Sequence, residues 1–134
     1  MADTPRMSGA QIITSRVELG EDLSEVGVIM AVKSDDEVYE ATDISGERCV
    51  GIATGIGDEG EYIIVASSVY RFDNSENNAI AAANIGEVAY LEDSNTVRLS
   101  GSTASLIVGV IRGIDDNGVW VDMNCPTEVA ISAS

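Results

Sequence analysis

The segment Gly55-Ile56-Gly57-Asp58-Glu59-Gly60 has the G-x-G-x-x-G spacing that dinucleotide-binding turns use. That chemistry needs the third glycine to open a helix whose N-terminal amides hold a pyrophosphate. Here the motif leads into Tyr62-Ile63-Ile64-Val65, a strand-forming run, and Asp58 and Glu59 would repel phosphate. A β-hairpin turn accounts for the glycines better than a cofactor does.

Carboxylates are the other abundant chemistry, in clusters at Asp35-Asp36-Glu37, Asp58-Glu59, Glu92-Asp93 and Asp115-Asp116. A glycosidase-type acid pair sets two carboxylates across a cleft, one of them with a raised pKa. Each cluster instead falls where a hairpin should turn, and there Asp, Asn and Gly serve the backbone. Calcium is the better alternative, but Asp115-Asp116-Asn117-Gly118 lacks the alternate ligand spacing and terminal Glu of an EF-hand loop. The chain contains no histidine, so serine–histidine and cysteine–histidine nucleophiles and the commonest zinc and iron ligands are missing. We expect no enzyme, no cofactor and no metal.

Two cysteines, Cys49 and Cys125, are too few for a disulfide framework. Cys49 aligns with Ile107 of the repeat described below and reads as a small core hydrophobe; a bridge to Cys125 is the alternative. With 23 acidic and 7 basic residues, the net charge of −16 repels phosphate backbones and anionic headgroups. Nucleic acid and membrane are therefore not expected partners. The start of the chain has no signal-peptide layout, and no apolar run is long enough to span a bilayer, so folding in a cytoplasm is expected.

The elements that carry these turns come twice. Val50–Ile63 reads VGIATGIGDEGEYI and Val108–Val121 reads VGVIRGIDDNGVWV. Val50, Gly51, Gly55, Ile56, Asp58 and Gly60 face Val108, Gly109, Gly113, Ile114, Asp116 and Gly118, and Tyr62 faces Trp120. The match extends upstream, from Val28 in the first copy and Glu87 in the second. We read two four-strand units inside one all-β body, a small barrel or sandwich. The first unit comprises strands Val28–Lys33, Val38–Thr42, Cys49–Thr54 and Tyr62–Tyr70, the last prolonged through Phe72. The second comprises Glu87–Glu92, Thr96–Ser100, Leu106–Arg112 and Val119–Met123, with one helical turn expected at Ala79–Asn84 between them. The halves span about 27–72 and 86–124 of a single β domain, 25–134. Residues 1–24 lie outside the repeat and read as an extended N-terminal arm, whose apolar residues Ile12, Ile13, Val17 and Leu19 suit docking on something else.

In the last strand Val119, Val121 and Met123 share one face, so Trp120 falls on the other with Asp122 and Asn124. An outward Trp needs cover, from a neighbouring loop or from another subunit.

The succession Gly27-Val28-Ile29, Val50-Gly51-Ile52-Ala53, Ile63-Ile64-Val65, Gly86-Glu87-Val88-Ala89-Tyr90, Val108-Gly109-Val110 and Val119-Trp120-Val121 resembles the capsid cement (head decoration) proteins of tailed bacteriophages. It covers roughly Gly27 to Asn124, and it departs from the family where Ser67-Ser68-Val69-Tyr70 stands in place of a Gly-bearing strand. The resemblance implies a barrel-like homotrimer on the outer face of the virion head, assembled in the host cytoplasm. There it would clamp neighbouring subunits of the major capsid protein. On that view the arm residues dock on the capsid, and Tyr62, Tyr70 and Trp120 are the candidate interface aromatics. A small carbohydrate- or ligand-binding β-module of a tail or surface structure, with Trp120 as its stacking ring, is the alternative.

Overall fold

The computed structural model describes residues 5–7, 9–32, 37–41, 48–99 and 106–124. Among these it forms ten strands: β1 Ile13–Glu18, β2 Ile29–Val32, β3 Val38–Glu40, β4 Arg48–Ala53, β5 Tyr62–Ser67, β6 Val69–Asn74, β7 Val88–Asp93, β8 Thr96–Arg98, β9 Ile107–Asp115 and β10 Gly118–Asp122. The protein is all-β, apart from a short 3-10 turn at Ala82–Asn84 where one helical turn was expected. The residues of the turn at Ser34–Asp36, the loop Asp43–Glu47, any Cys49–Cys125 bridge and the tail from Thr127 lie outside the described residues.

The strands form two five-stranded sheets, ordered β1-β5-β4-β2-β3 and β6-β10-β9-β7-β8. The second closes into a barrel through a parallel pairing of β6 with β8, Asp73 opposite Thr96 and Asn74 opposite Val97. The first approaches the same closure with a single parallel bridge between Leu19 and Val38. The repeat is therefore real in topology and one strand larger than its sequence signature: each unit begins with a strand, β1 or β6, that lies antiparallel to its last, β5 or β10. These leading strands share no obvious sequence, because what selects them is backbone pairing and an alternating inward face.

The expected long strand Tyr62–Phe72 is in fact β5 and β6, divided at Ser68. Before Ser68 the chain pairs with β1 and β4, and after it with β10 and β8. One residue thus passes the chain from one sheet to the other.

Two apolar clusters fill the body. Leu19, Leu23, Val28, Met30, Val38, Ala53, Ile63 and Val65 form the interior of the first unit. Tyr70, Phe72, Ala89, Leu91, Val97, Val108, Ile111, Val119 and Val121 fill the barrel, and this cluster continues onto Ile29, Ala31, Ile52 and Ala66 of the first sheet. Strand β2 is consequently buried on both faces, Met30 toward one cluster and Ile29 and Ala31 toward the other, which explains its uninterrupted apolar run. Cys49 packs against the larger cluster, as a small core hydrophobe should.

The expectation of an extended arm outside the β domain is corrected by this architecture. Within residues 1–24, Pro5–Met7 lies along β6, the backbone amide of Met7 donating to the Val69 carbonyl and that of Arg71 to the Pro5 carbonyl, each at 2.8 Å. Ile13–Glu18 is β1, laddered to β5 from Ile13–Ser67 to Glu18–Tyr62. Leu19 is fully buried, and Leu23 exchanges backbone hydrogen bonds with Gly57 at 2.8 and 3.1 Å. The arm docks on its own domain because the first unit lacks both a strand and part of its core without it.

Candidate functional site

The glycine-rich segment forms the β4–β5 connection, and its backbone groups are taken up within the chain. The amide of Gly60 donates to the Leu19 carbonyl and that of Gly57 to Leu23. The amide of Glu59 donates to Asp22 Oδ1 at 2.8 Å and that of Asp58 to Glu61 Oε1 at 2.7 Å. No helix follows the motif, so the amides that a pyrophosphate would need are aimed at protein acceptors instead.

At one end of the barrel, Asp73, Glu76, Glu92, Asp93, Asp115 and Asp116 line an open cleft of about 540 Å³. Among the described residues no group of three or more ligating side chains is arranged to hold a metal ion. Asp115 illustrates why: one carboxylate oxygen accepts the Asn117 amide at 2.7 Å, closing the turn, and the other accepts the Trp120 indole N–H at 2.9 Å. The indole bond foremost, then the Asn117 amide, holds the Asp115 carboxyl below its ordinary pKa.

That bond also answers what covers Trp120. Its neighbours Val119 and Val121 point into the barrel and are fully buried, leaving Trp120 half-buried on the outer side, as the alternation requires. Arg71, directly opposite on β6, holds its guanidinium 5.5 Å from the ring centroid. Cover therefore comes from within the chain, by a cation over the ring and an anion at its N–H.

The first unit has a counterpart. Tyr62 stands where Trp120 does, 53% exposed, with the Arg16 guanidinium 4.2 Å from its ring centroid. Its hydroxyl reaches Glu18 Oε1 at 3.5 Å. Arg16 and Ile64 are opposite one another in the β1–β5 register, as are Glu18 and Tyr62, so all four share one face. Ile64 is 42% exposed there, and Ile12 and Ile13, each 47% exposed, lie at the start of the same strand pair. Four of the six exposed large apolar side chains among the described residues thus gather on β1–β5, at the edge of the open sheet.

The sequence-based site set divides on this geometry. Ile12, Ile13 and Tyr62 are brought to one edge. Val17 is partly buried and packs on the smaller cluster, and Leu19 lies inside it, so neither can serve as a docking side chain. Tyr70 is also not an interface aromatic: it is 5% exposed, with its ring edge-on to Phe72 at a centroid distance of 6.4 Å. Burial pushes its phenol pKa up. Trp120 is satisfied within the fold. Ile64 and Arg16 were missed, since Tyr62-Ile63-Ile64-Val65 is apolar on both faces and nothing local says which face is covered. Arg16 acquires its role only through cross-strand register.

No family model matches the chain, and no curated protein matches it.

Proposed function

We propose that this chain is a capsid decoration protein: it binds the outer surface of a tailed-phage head, as a trimer, and stabilises the shell by clamping neighbouring major capsid protein subunits. The reading rests on the resemblance in strand succession between Gly27 and Asn124. One structural observation supports it: the apolar side chains Ile12, Ile13, Tyr62 and Ile64 are concentrated on one sheet edge of a strongly acidic body. Exposed apolar side chains along a sheet edge suit association. Many copies, each making a modest contact, hold a shell firmly through multivalency. The negative surface fits a position away from packaged DNA.

The competing carbohydrate reading needs an open indole face, and Arg71 occupies the region over the Trp120 ring. The deciding experiment is saturation binding to expanded, DNA-free heads that lack decoration, with light scattering of the free protein. Binding in multiples of three, lost in the Ile12→Asp/Ile13→Asp double variant, is the expected result. Failure of the wild-type chain to bind such heads would overturn the proposal. Deleting residues 1–24 is not a fair test, because it removes β1 and Leu19 from the fold.

A further inference from the structure

The two units pair their strands in the same order, so an edge that is occupied in one can be compared with its counterpart in the other. On β6, Val69 lies opposite Asp122, and on β1, Arg16 lies opposite Ile64. Asp122 and Ile64 are equivalent positions of the repeat, so Val69 corresponds to Arg16 and Arg71 to Glu18. In the second unit the outward carbonyl of Val69 and the outward amide of Arg71 are bonded by Met7 and Pro5, an antiparallel bridge centred on Arg6 and Tyr70. In the first unit, β1 is the outermost strand, and among the described residues no strand lies beyond Ile13–Arg16.

The phase of the ladder shows which groups are left over. The Leu19 amide points to β5, donating to the Glu61 carbonyl, so the alternate amides of Val17 and Ser15 point the same way. The amides and carbonyls of Thr14 and Arg16, and the amide of Glu18, therefore face outward. Thr14, Ser15 and Arg16 are exposed, and Ile12 and Ile13 stand beside them. A row of unbonded backbone groups flanked by apolar side chains is a template for strand addition.

We infer that the β1 edge, from Thr14 to Glu18, receives an extended, positively charged segment of another protein as an added antiparallel strand. The repeat supplies the mode, because a segment centred on an arginine already occupies the matching edge of β6. Charge selects a basic segment as the occupant, since the body it joins carries a net charge of −16. Glu18 lies within the edge, and Glu21 and Asp22 follow after Leu19 and Gly20, against the single cation Arg16. The inference goes beyond the capsid proposal and does not depend on it, because such an edge would serve any partner offering that segment.

The test uses the full chain and a fluorescently labelled, capped peptide alternating valine and lysine. Arg16→Pro removes an outward amide and leaves the β1–β5 ladder, whose amides come from the odd-numbered residues, in place. Arg16→Ala removes the charge and keeps the amide. Binding by wild type and Arg16→Ala, weakened about tenfold or more in Arg16→Pro, with slowed amide exchange at Thr14, Arg16 and Glu18 in the complex, is the expected result. Thermal melting of each variant verifies that the fold is retained. Equal binding by Arg16→Pro, no binding by wild type, or unchanged exchange at these amides would overturn the proposal. A wild-type dimer that Arg16→Pro converts to monomer would assign the edge to a second copy instead. The Asn124 side chain donates to the Gln11 carbonyl at 2.9 Å, so Asn124 itself lies near the start of β1. Binding seen only in a chain ending at Asn124 would assign the edge to this chain's own residues after Asn124 and equally overturn the proposal.

Discussion

Gly51 and Gly109 occupy the same bulge of the two units. In the first, the β2–β4 register slips between Met30 and Ala31, so that Val50 is the extra residue next to Gly51. In the second, the β7–β9 register slips between Ala89 and Tyr90, with Val108 extra next to Gly109. A Cβ at Gly51 would lie 2.6 Å from the Ala66 carbonyl oxygen, and one at Gly109 would meet the Asp122 carbonyl oxygen. Gly51 also has φ of +141°, a conformation costly for any L side chain. Since backbone atoms block both positions, Gly51→Ala and Gly109→Ala should each destabilise by about 2 kcal/mol or more, read from urea unfolding midpoints. Gly60→Ala, with φ of +89° but open space around it, should cost only about 1 kcal/mol.

Leu19→Ala should lower stability by about 2–5 kcal/mol, the range for a fully buried leucine. Ile12→Asp should change it by no more than about 0.5 kcal/mol, since the side chain is surface-exposed. Denaturant melts of the two variants thus distinguish a built-in leading strand from a dispensable arm, and equal small effects would contradict the assignment.

Ser68 is fully buried, and its hydroxyl has no hydrogen-bond partner among the described residues. Its backbone carbonyl accepts the Met123 amide at 2.9 Å, so the main chain at the junction is already anchored. Ser68→Ala should therefore be neutral or stabilise by about 1 kcal/mol, because it removes a desolvated hydroxyl without opening a large void. A loss of more than about 1 kcal/mol would mean that the hydroxyl is bonded.

The Asp115–Trp120 bond should make the single tryptophan report acid. The carboxyl pKa is lower in the folded chain, so its contribution to stability is complete above the ordinary value of 3.8 and is lost as pH falls through the depressed folded value. Tryptophan fluorescence should change below pH 3.8, and Asp115→Ala should abolish that step while leaving any global acid unfolding visible.

Tyr70 should act at the opposite limit. Its folded pKa lies above 10.0 because burial disfavours the phenolate, so its contribution is intact below that pH and is lost as pH rises through the folded value. Tyr70→Phe should flatten the alkaline limb of the stability curve, measured by chemical denaturation in steps above pH 10.

Much of the architecture was legible because the repeat prints its turns. The strand pairs around Ser34–Glu37, Gly55–Gly60, Asp93–Asn95 and Asp115–Gly118 were each placed by turn residues between apolar runs. The leading strands were not legible. Ile13–Glu18 is exposed along most of its length, and such a strand is held by main-chain bonds that leave little mark on composition. The break at Ser68 was hidden for a related reason: Ile63 to Phe72 remains strand-like throughout, and the change of partner at Ser68 is decided by distant residues. At the surface, Tyr62 was found by its alignment with Trp120, whereas Tyr70 looked equally available and is inside, because parity along β6 places it with Phe72 in the barrel.

The passage from β5 to β6 through Ser68 bears on how the body carries load. A single intervening residue leaves no slack, so tension on one unit passes into the other along a nearly continuous backbone. Both flanking strands are gripped lengthwise by antiparallel neighbours, β1 on one side of the junction and β10 on the other. Force applied along that line would have to shear several hydrogen bonds at once instead of parting them one by one. A protein pulled between two attachment points on its separate units would therefore behave as one stiff strut, with no hinge at its waist.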